Sequence, residues 1–280
     1  MSSSRRGPAP SARQRRLGQN FLTDTNLLEL IVREARVGPD TVVLEVGGGA
    51  GALTERLAPR VAHLHVVEFD ETLRDRLTEL AAAHPAVEMH WADAARLDWA
   101  GLDPVPEAMV ANLPYSVAVP VLAGSLELAA LQRWLVMVQL EIAERLAAAP
   151  GTRAYGAPSA LVQHVCDVEL VRRVPPEVFS PPPRVHSALV RLRRRTPTPP
   201  AIHRATVRAC FAHRRKSLPR SLELAGGADR ATTAEALGDL GHDPGVRAEA
   251  LGPGELFALA ERLTPPAGLS ASDERPGSPR

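Results

Sequence analysis

The chain has 280 residues, 45% of them apolar, a formal net charge of +1 and two cysteines. That length holds one large domain or a medium domain with a small companion, and the apolar share is enough for a sizeable core, which excludes a disordered or fibrous chain. Cys166 and Cys210 supply neither a disulfide framework nor a metal-ligand spacing and read as buried small residues of a soluble protein in a reducing cytosol, and no apolar run approaches the roughly 18 residues of a membrane span.

In chain order, MSSSRRGPAPSARQRR (1–16) is Ser- and Arg-rich. Its prolines and its lack of an apolar face mark it as a disordered basic arm rather than a transit peptide. Thr23 or Asp24 can cap a helix whose apolar residues Leu27, Leu28, Ile31, Val32 and Ala35 share one face. Five β-rich runs follow, TVVLEVG (41–47), LHVVEFD (64–70), VEMHWAD (87–93), EAMVANL (107–113) and RWLVMVQ (133–139), separated by helix-compatible stretches. This alternation predicts an α/β fold with a doubly wound, mainly parallel sheet. VCDVELVRRV and HSALVRLRRR read as two further strands that close the sheet as an antiparallel hairpin. TPTPP at 196–200 is a proline linker, residues 201–263 form a small helical domain, and 264–280 is a tail that does not fold.

The small net charge hides an asymmetry. Between Val178 and Leu222 there are eleven Arg or Lys and no acid, and residues 1–20 add five Arg. A segregated basic surface of this kind is the footprint expected for nucleic acid. The nine histidines show no metal spacing, and no metal is expected.

The first strand ends in EVGGGAGA. Gly47, Gly49 and Ala52 satisfy the dinucleotide pattern G-x-G-x-x-G/A, while Gly47, Gly49 and Gly51 equally satisfy the G-x-G-x-G of S-adenosylmethionine (SAM) enzymes. Glu68, ending the second strand, could accept from both ribose hydroxyls in either case. Asp93, ending the third, could accept from an adenine amine or cap a helix.

The fourth strand discriminates between the two cofactors. Asn112, Leu113, Pro114 and Tyr115 would share the rim with the glycine loop, since ligands of open α/β sheets bind outside the carboxyl ends of the strands. The exocyclic amine of a nucleobase is a poor nucleophile because its lone pair is delocalised into the ring. The Asn112 amide oxygen and the Leu113 carbonyl, both accepting from that amine, would localise the lone pair; Pro114 has no N–H to compete, and Tyr115 would stack on the base, worth roughly 1–3 kcal/mol. Hydride transfer has no use for such a group.

With these residues the chain resembles the KsgA family of rRNA adenine N6,N6-dimethyltransferases over about residues 17–263. The resemblance is carried by LGQNFL (17–22), LEVGGGAGALTERLA, VVEFD, ADAARLD, ANLPYSVAVPVL, MVQLEIAERLAAAPGTRAYG, VFSPPPRVHSALVRLRRR and CFAHRRKSLPRSL. It implies a Rossmann-like, seven-stranded SAM-dependent methyltransferase domain (17–195) followed by a small helical RNA-binding domain (196–263). It also implies SAM contacts at Asn20, Leu22, Gly47, Gly49, Glu68, Asp93 and Asn112, with the target adenine held between Tyr115 and Phe179. The implied substrate is a pair of adjacent adenosines near the 3′ end of 16S rRNA in the assembling 30S subunit, acted on by a cytoplasmic, monomeric protein with neither membrane nor metal partner. Phosphates would be gripped by Arg184, Arg193, Arg194, Arg195, Arg214, Arg215 and Lys216. The sequence departs from the family pattern at Leu140, His186 and Pro219, and Pro219 is expected to disturb a helix. An Erm-type 23S rRNA methyltransferase, a non-catalytic transcription-factor relative and an NAD oxidoreductase are the rival readings.

Overall fold

The computed structural model describes residues 20–264, so the N-terminal arm and all but the first residue of the expected tail lie outside the described residues. The described chain forms two compact units, one of residues 20–147 with 165–198 and one of residues 148–164 with 199–264.

In the first unit, β1 (Phe21–Leu22) leads into α1 (Thr25–Ala35). Asp24 caps that helix, accepting from the Leu27 amide at 2.7 Å, and the five expected apolar residues are its buried face. There follow β2 (Val42–Val46), β3 (His63–Glu68), β4 (Val87–Trp91), β5 (Ala108–Asn112), β6 (Arg133–Gln139), β7 (Cys166–Val174), β8 (Phe179–Ser180) and β9 (Ser187–Arg194). All seven β-rich runs of the sequence are thus strands of one sheet, in the order β4-β3-β2-β5-β6-β9-β7. β4 through β6 are parallel, and β9 runs antiparallel to both β6 and β7.

The chain enters the sheet at its centre, builds outward through β3 and β4, and returns to add β5 on the other side of β2. The order therefore reverses between β2 and β5, the place where open α/β sheets bind their ligands. Leu44, Val66, Val110 and Val136 are at most 1% exposed, as expected of strands covered on both faces.

The second unit is helical, with helices at Ala157–Val165, Ala201–Cys210, Leu218–Leu224, Arg230–Asp239 and Pro253–Leu263. Residues 148–164, which the sequence places in the first domain, belong here, because Ala148, Tyr155 and Ala160 join a core with Val207, Leu222 and Phe257. Pro219 does not disturb its helix: it occupies the first turn of Leu218–Leu224, where the missing N–H has no intrahelical partner to lose. Leu140 and His186 meet through the main chain, the Leu140 amide donating to the His186 carbonyl at 2.9 Å. Cys166 and Cys210 are free and buried, as expected, and burial pushes both thiols up to about 12.

Candidate active site

A cleft opens beyond the carboxyl ends of β2, β3 and β5, in two adjoining cavities of about 100 and 210 Å3 that share Gly47, Glu68 and Pro114. Gly47 and Gly49 adopt φ of +83° and +54°, a left-handed backbone that glycine adopts without strain. A Cβ on Gly47 would lie 3.3 Å from Pro114 Cδ, and one on Gly49 3.4 Å from Phe21. The loop therefore presents bare backbone to the smaller cavity, between the β5 rim and β1.

Glu68 is 7% exposed at the end of β3. One carboxylate oxygen accepts from the Gly49 amide at 2.9 Å, the other from the amides of Phe69 and Asp70 at 2.8 and 2.7 Å. A carboxylate offers about four acceptor sites. Three are taken, so the pair of ribose hydroxyls foreseen for Glu68 finds room for one donor in the present geometry. Asp93 lines the larger cavity and accepts from the Ala95 amide at 2.9 Å, so it is a cap whose carboxylate also faces the cleft.

Asn20, Leu22, Asn112, Leu113, Pro114 and Tyr115 all line the smaller cavity. The Asn112 side-chain N–H donates to the Asn20 carbonyl across a long 3.5 Å. The Tyr115 and Ser187 hydroxyls are 2.6 Å apart, anchoring the ring to the start of β9; burial pushes the Tyr115 phenol up, against a smaller lowering by Ser187. Phe179 is 4% exposed in the core of this unit, and β8 pairs it to Leu22 of the cleft wall.

Two residues that line the cleft were not singled out in the sequence. Glu45, near the end of β2, is 1% exposed, and its carboxyl group accepts from the Thr54 hydroxyl at 2.8 Å. Burial raises its pKa to about 8, with a further rise from Glu68 and an opposing pull from Thr54. Phe69 is 61% exposed beside Asp93 in the larger cavity. An acid inside an otherwise apolar strand, and an aromatic directly after the strand-ending acid, were the signals available for them.

Of the basic residues, Arg184, Arg193, Arg195, Arg214, Arg215 and Lys216 are exposed. Arg195 sits 3.1 Å from Asp167, and Arg214 donates to the Thr152 carbonyl at 3.3 Å. Arg194 is withdrawn from the phosphate-binding set. Its guanidinium donates to the carbonyls of Leu131, Leu126 and Leu128 at 2.8, 2.9 and 3.1 Å and to the Thr198 hydroxyl at 3.0 Å, and it lies over Trp134. With four of five donors used, little is left for an RNA phosphate. Arg191 is likewise spent on Glu34 and Glu169, at 2.6 Å each.

The ribosomal RNA adenine dimethylase family matches residues 11–255. The chain is 42% identical over 268 residues to the ribosomal RNA small subunit methyltransferase A of Rubrobacter xylanophilus, covering 95% of this chain and all of that protein. It is 46% identical over 255 residues to the protein of the same name from Thermobifida fusca, covering 88% of each. Among solved structures, a dimethyladenosine transferase from Plasmodium falciparum shares the fold, with a TM-score of 0.72 at 23% identity over 85% of this chain and 95% of that one. The 23S rRNA methyltransferase ErmE aligns with a TM-score of 0.65 at 28% identity over 87% of this chain and 99% of its own. Among the described residues no helix is long and apolar enough to cross a membrane. The chain belongs to the ribosomal RNA adenine dimethylase family.

Proposed function

We propose that this protein, an rRNA adenine dimethyltransferase by family, takes S-adenosylmethionine as methyl donor and dimethylates N6 of two adjacent adenosines near the 3′ end of 16S rRNA in the assembling 30S subunit. The observation that carries the reading is the meeting of the glycine loop and the Asn112–Tyr115 segment at one cleft, where a Cβ on Gly47 would already lie 3.3 Å from Pro114.

The donor set suits the cofactor. Bare backbone at Gly47 and Gly49, with Asn20, Leu22 and Asn112 around it, would hold the amino-acid portion, and Glu68, Asp93 and the exposed Phe69 ring would hold the nucleoside. When bound, the cofactor supplies a methyl group on a sulfonium, an electrophile with a neutral leaving group. The protein's task is then mainly positioning, which can account for effective molarities of roughly 10⁵–10⁸ M.

The Asn112 amide oxygen and the Leu113 carbonyl accept hydrogen bonds from the N6–H groups, two before the first methyl transfer and one before the second, and turn the amine's lone pair toward the cleft. As the new N–C bond forms, the proton leaves N6 for water, so no dedicated base is needed. Tyr115, held by Ser187, stacks on the extruded base and offsets part of the few kcal/mol that unstacking costs. Phe179 supports Leu22 from the core. Arg184, Arg193, Arg195, Arg214, Arg215 and Lys216 contact RNA phosphates, and the protein works as a cytoplasmic monomer.

The test is to incubate the protein with isotope-labelled S-adenosylmethionine and unmethylated 30S particles, or with 23S rRNA, and to measure nucleosides by mass spectrometry. Labelled N6,N6-dimethyladenosine from 30S alone, abolished by Asn112→Ala, is the expected result. Label in 23S rRNA would transfer the protein to the activity named for ErmE, and label in neither would overturn the reading.

A further inference from the structure

On β3 and its edge neighbour β4, four side chains with metal-ligating atoms meet away from the cleft. His63 and His65 alternate onto one face of β3, as Glu88 and His90 do on β4, and the parallel register sets His65 opposite Glu88. His63 Nε2 lies 3.1 Å from Glu88 Oε2, His65 Nδ1 lies 3.6 Å from that same oxygen and 2.9 Å from His90 Nε2, and His90 Nε2 lies 3.7 Å from Glu88 Oε1. Ligand atoms of His63, His65 and Glu88 all fall within 4.8 Å of one another. A tetrahedral zinc ion with bonds of about 2.0–2.1 Å to its ligands keeps them about 3.3 Å apart, and these four separations, from 2.9 to 3.7 Å, bracket that value.

The tautomer of the innermost ligand is already set. His65 Nε2 is 2.7 Å from the Pro104 carbonyl, which can only accept, so Nε2 carries the proton and a neutral His65 turns a lone pair on Nδ1 toward the other three residues. A backbone carbonyl holding the far N–H of a histidine is the usual support of a metal ligand. His65 is 0% exposed, whereas the side chains of His63, His90 and Glu88 are 23%, 22% and 46% exposed, so the cluster is anchored inside and open to solvent outside.

The structure assigns a zinc-class divalent transition-metal site to His63, His65, Glu88 and His90. Imidazoles with one carboxylate suit zinc and its neighbours rather than magnesium or calcium. On binding, His63 and His90 carry their remaining protons on Nδ1 and present Nε2 to the ion. H-x-H at 63 and E-x-H at 88 lie far apart in the sequence and come together only through the β3–β4 register. The ion would clamp the edge strand to its neighbour, three residues before Glu68 and Asp93.

The experiment is titration of the tag-free, metal-stripped full chain with Zn2+ by calorimetry, with Co2+ as a spectroscopic probe. One ion per chain at micromolar affinity or tighter, a Co2+ visible spectrum of tetrahedral intensity and a higher unfolding temperature with Zn2+ are expected. His63→Ala, His90→Ala and Glu88→Gln change half-open positions and leave the fold intact; each should weaken binding at least 10-fold and remove the thermal shift. Millimolar binding alone, or affinity unchanged in all three variants, would overturn the assignment. None of these readouts uses methyl transfer or its cofactor, so failure here is distinct from failure of the proposed function.

Discussion

Ser187, the first residue of β9, holds the hydroxyl of Tyr115 at 2.6 Å. The aromatic that faces the cleft is therefore tied to the antiparallel strand that closes the sheet and not only to its own loop. Ser187 is fully buried, so the hydroxyl pair is the means by which the sheet sets the ring's position.

Ser187→Ala should leave the ring unmoored and the fold intact, at a cost near 1 kcal/mol of stability. Methyl transfer should slow by about 3- to 10-fold, with cofactor affinity unchanged. Tyr115→Phe should match it, while Tyr115→Ala should lose the further 1–3 kcal/mol of base stacking. Single-turnover rates of the three variants beside their cofactor dissociation constants check the order.

Glu45 makes the stability of the first unit depend on pH. Its folded carboxyl keeps a proton up to about 8, whereas the ordinary value is 4.5. Between those values the folded state holds more protons than the unfolded one, so stability is full below pH 4.5 and falls as pH rises through 8, by an amount on the order of a few kcal/mol. Glu45→Gln keeps an acceptor for Thr54 and should flatten this slope in urea unfolding at pH 5, 7 and 9. A cationic cofactor beside Glu45 favours the carboxylate, so binding near pH 7 should release a fraction of a proton. Calorimetry in buffers of different ionisation heats should show that release in the native chain and not in Glu45→Gln.

Gly47→Ala tests the cradle. The new Cβ would combine a left-handed φ of +83° with a Pro114 contact at 3.3 Å, and strain at such a position costs about 1–3 kcal/mol. The displaced backbone should weaken cofactor binding by 10-fold or more. Gly38→Ala, where nothing lies within 4 Å, is the control and should leave binding unchanged by the same assay.

Much of this architecture was written in local pattern. Seven β-rich runs became seven strands of one sheet, and Leu27 to Ala35 became the buried face of α1, because alternation and helical spacing are properties of neighbours in the chain. The glycine loop and the Asn112–Tyr115 segment were equally readable, since strand-end chemistry is local too. What escaped is set by partners distant in sequence. Glu45 differs from an exposed acid only in what surrounds it, Phe179 is taken into the core by pairing with β1, and residues 148–164 join the helical unit through Tyr155 and Ala160. Arg194 stands among Arg193 and Arg195 in an unbroken basic run, and nothing in that run shows which of the three turns inward.

That division among the arginines yields a paired prediction. Arg194→Ala removes the hydrogen bonds to the carbonyls of Leu126, Leu128 and Leu131; Leu126 keeps the Thr198 hydroxyl and Leu128 the Leu131 amide, so the main cost, about 1–3 kcal/mol, falls on the Leu131 carbonyl. The first unit should unfold several degrees lower, while the salt dependence of RNA binding stays that of the native chain, because no phosphate contact has gone. Arg214, Arg215 and Lys216 are exposed, so replacing all three by Ala should scarcely move the unfolding temperature. It should instead lower the slope of log affinity against log salt by about 2–3, at roughly 0.7–0.9 per neutralised phosphate. Thermal unfolding and RNA binding at four salt concentrations, run on both variants, separate the two kinds of arginine. An Arg194→Ala protein that kept its stability and lost salt slope would return that residue to the RNA-contacting set.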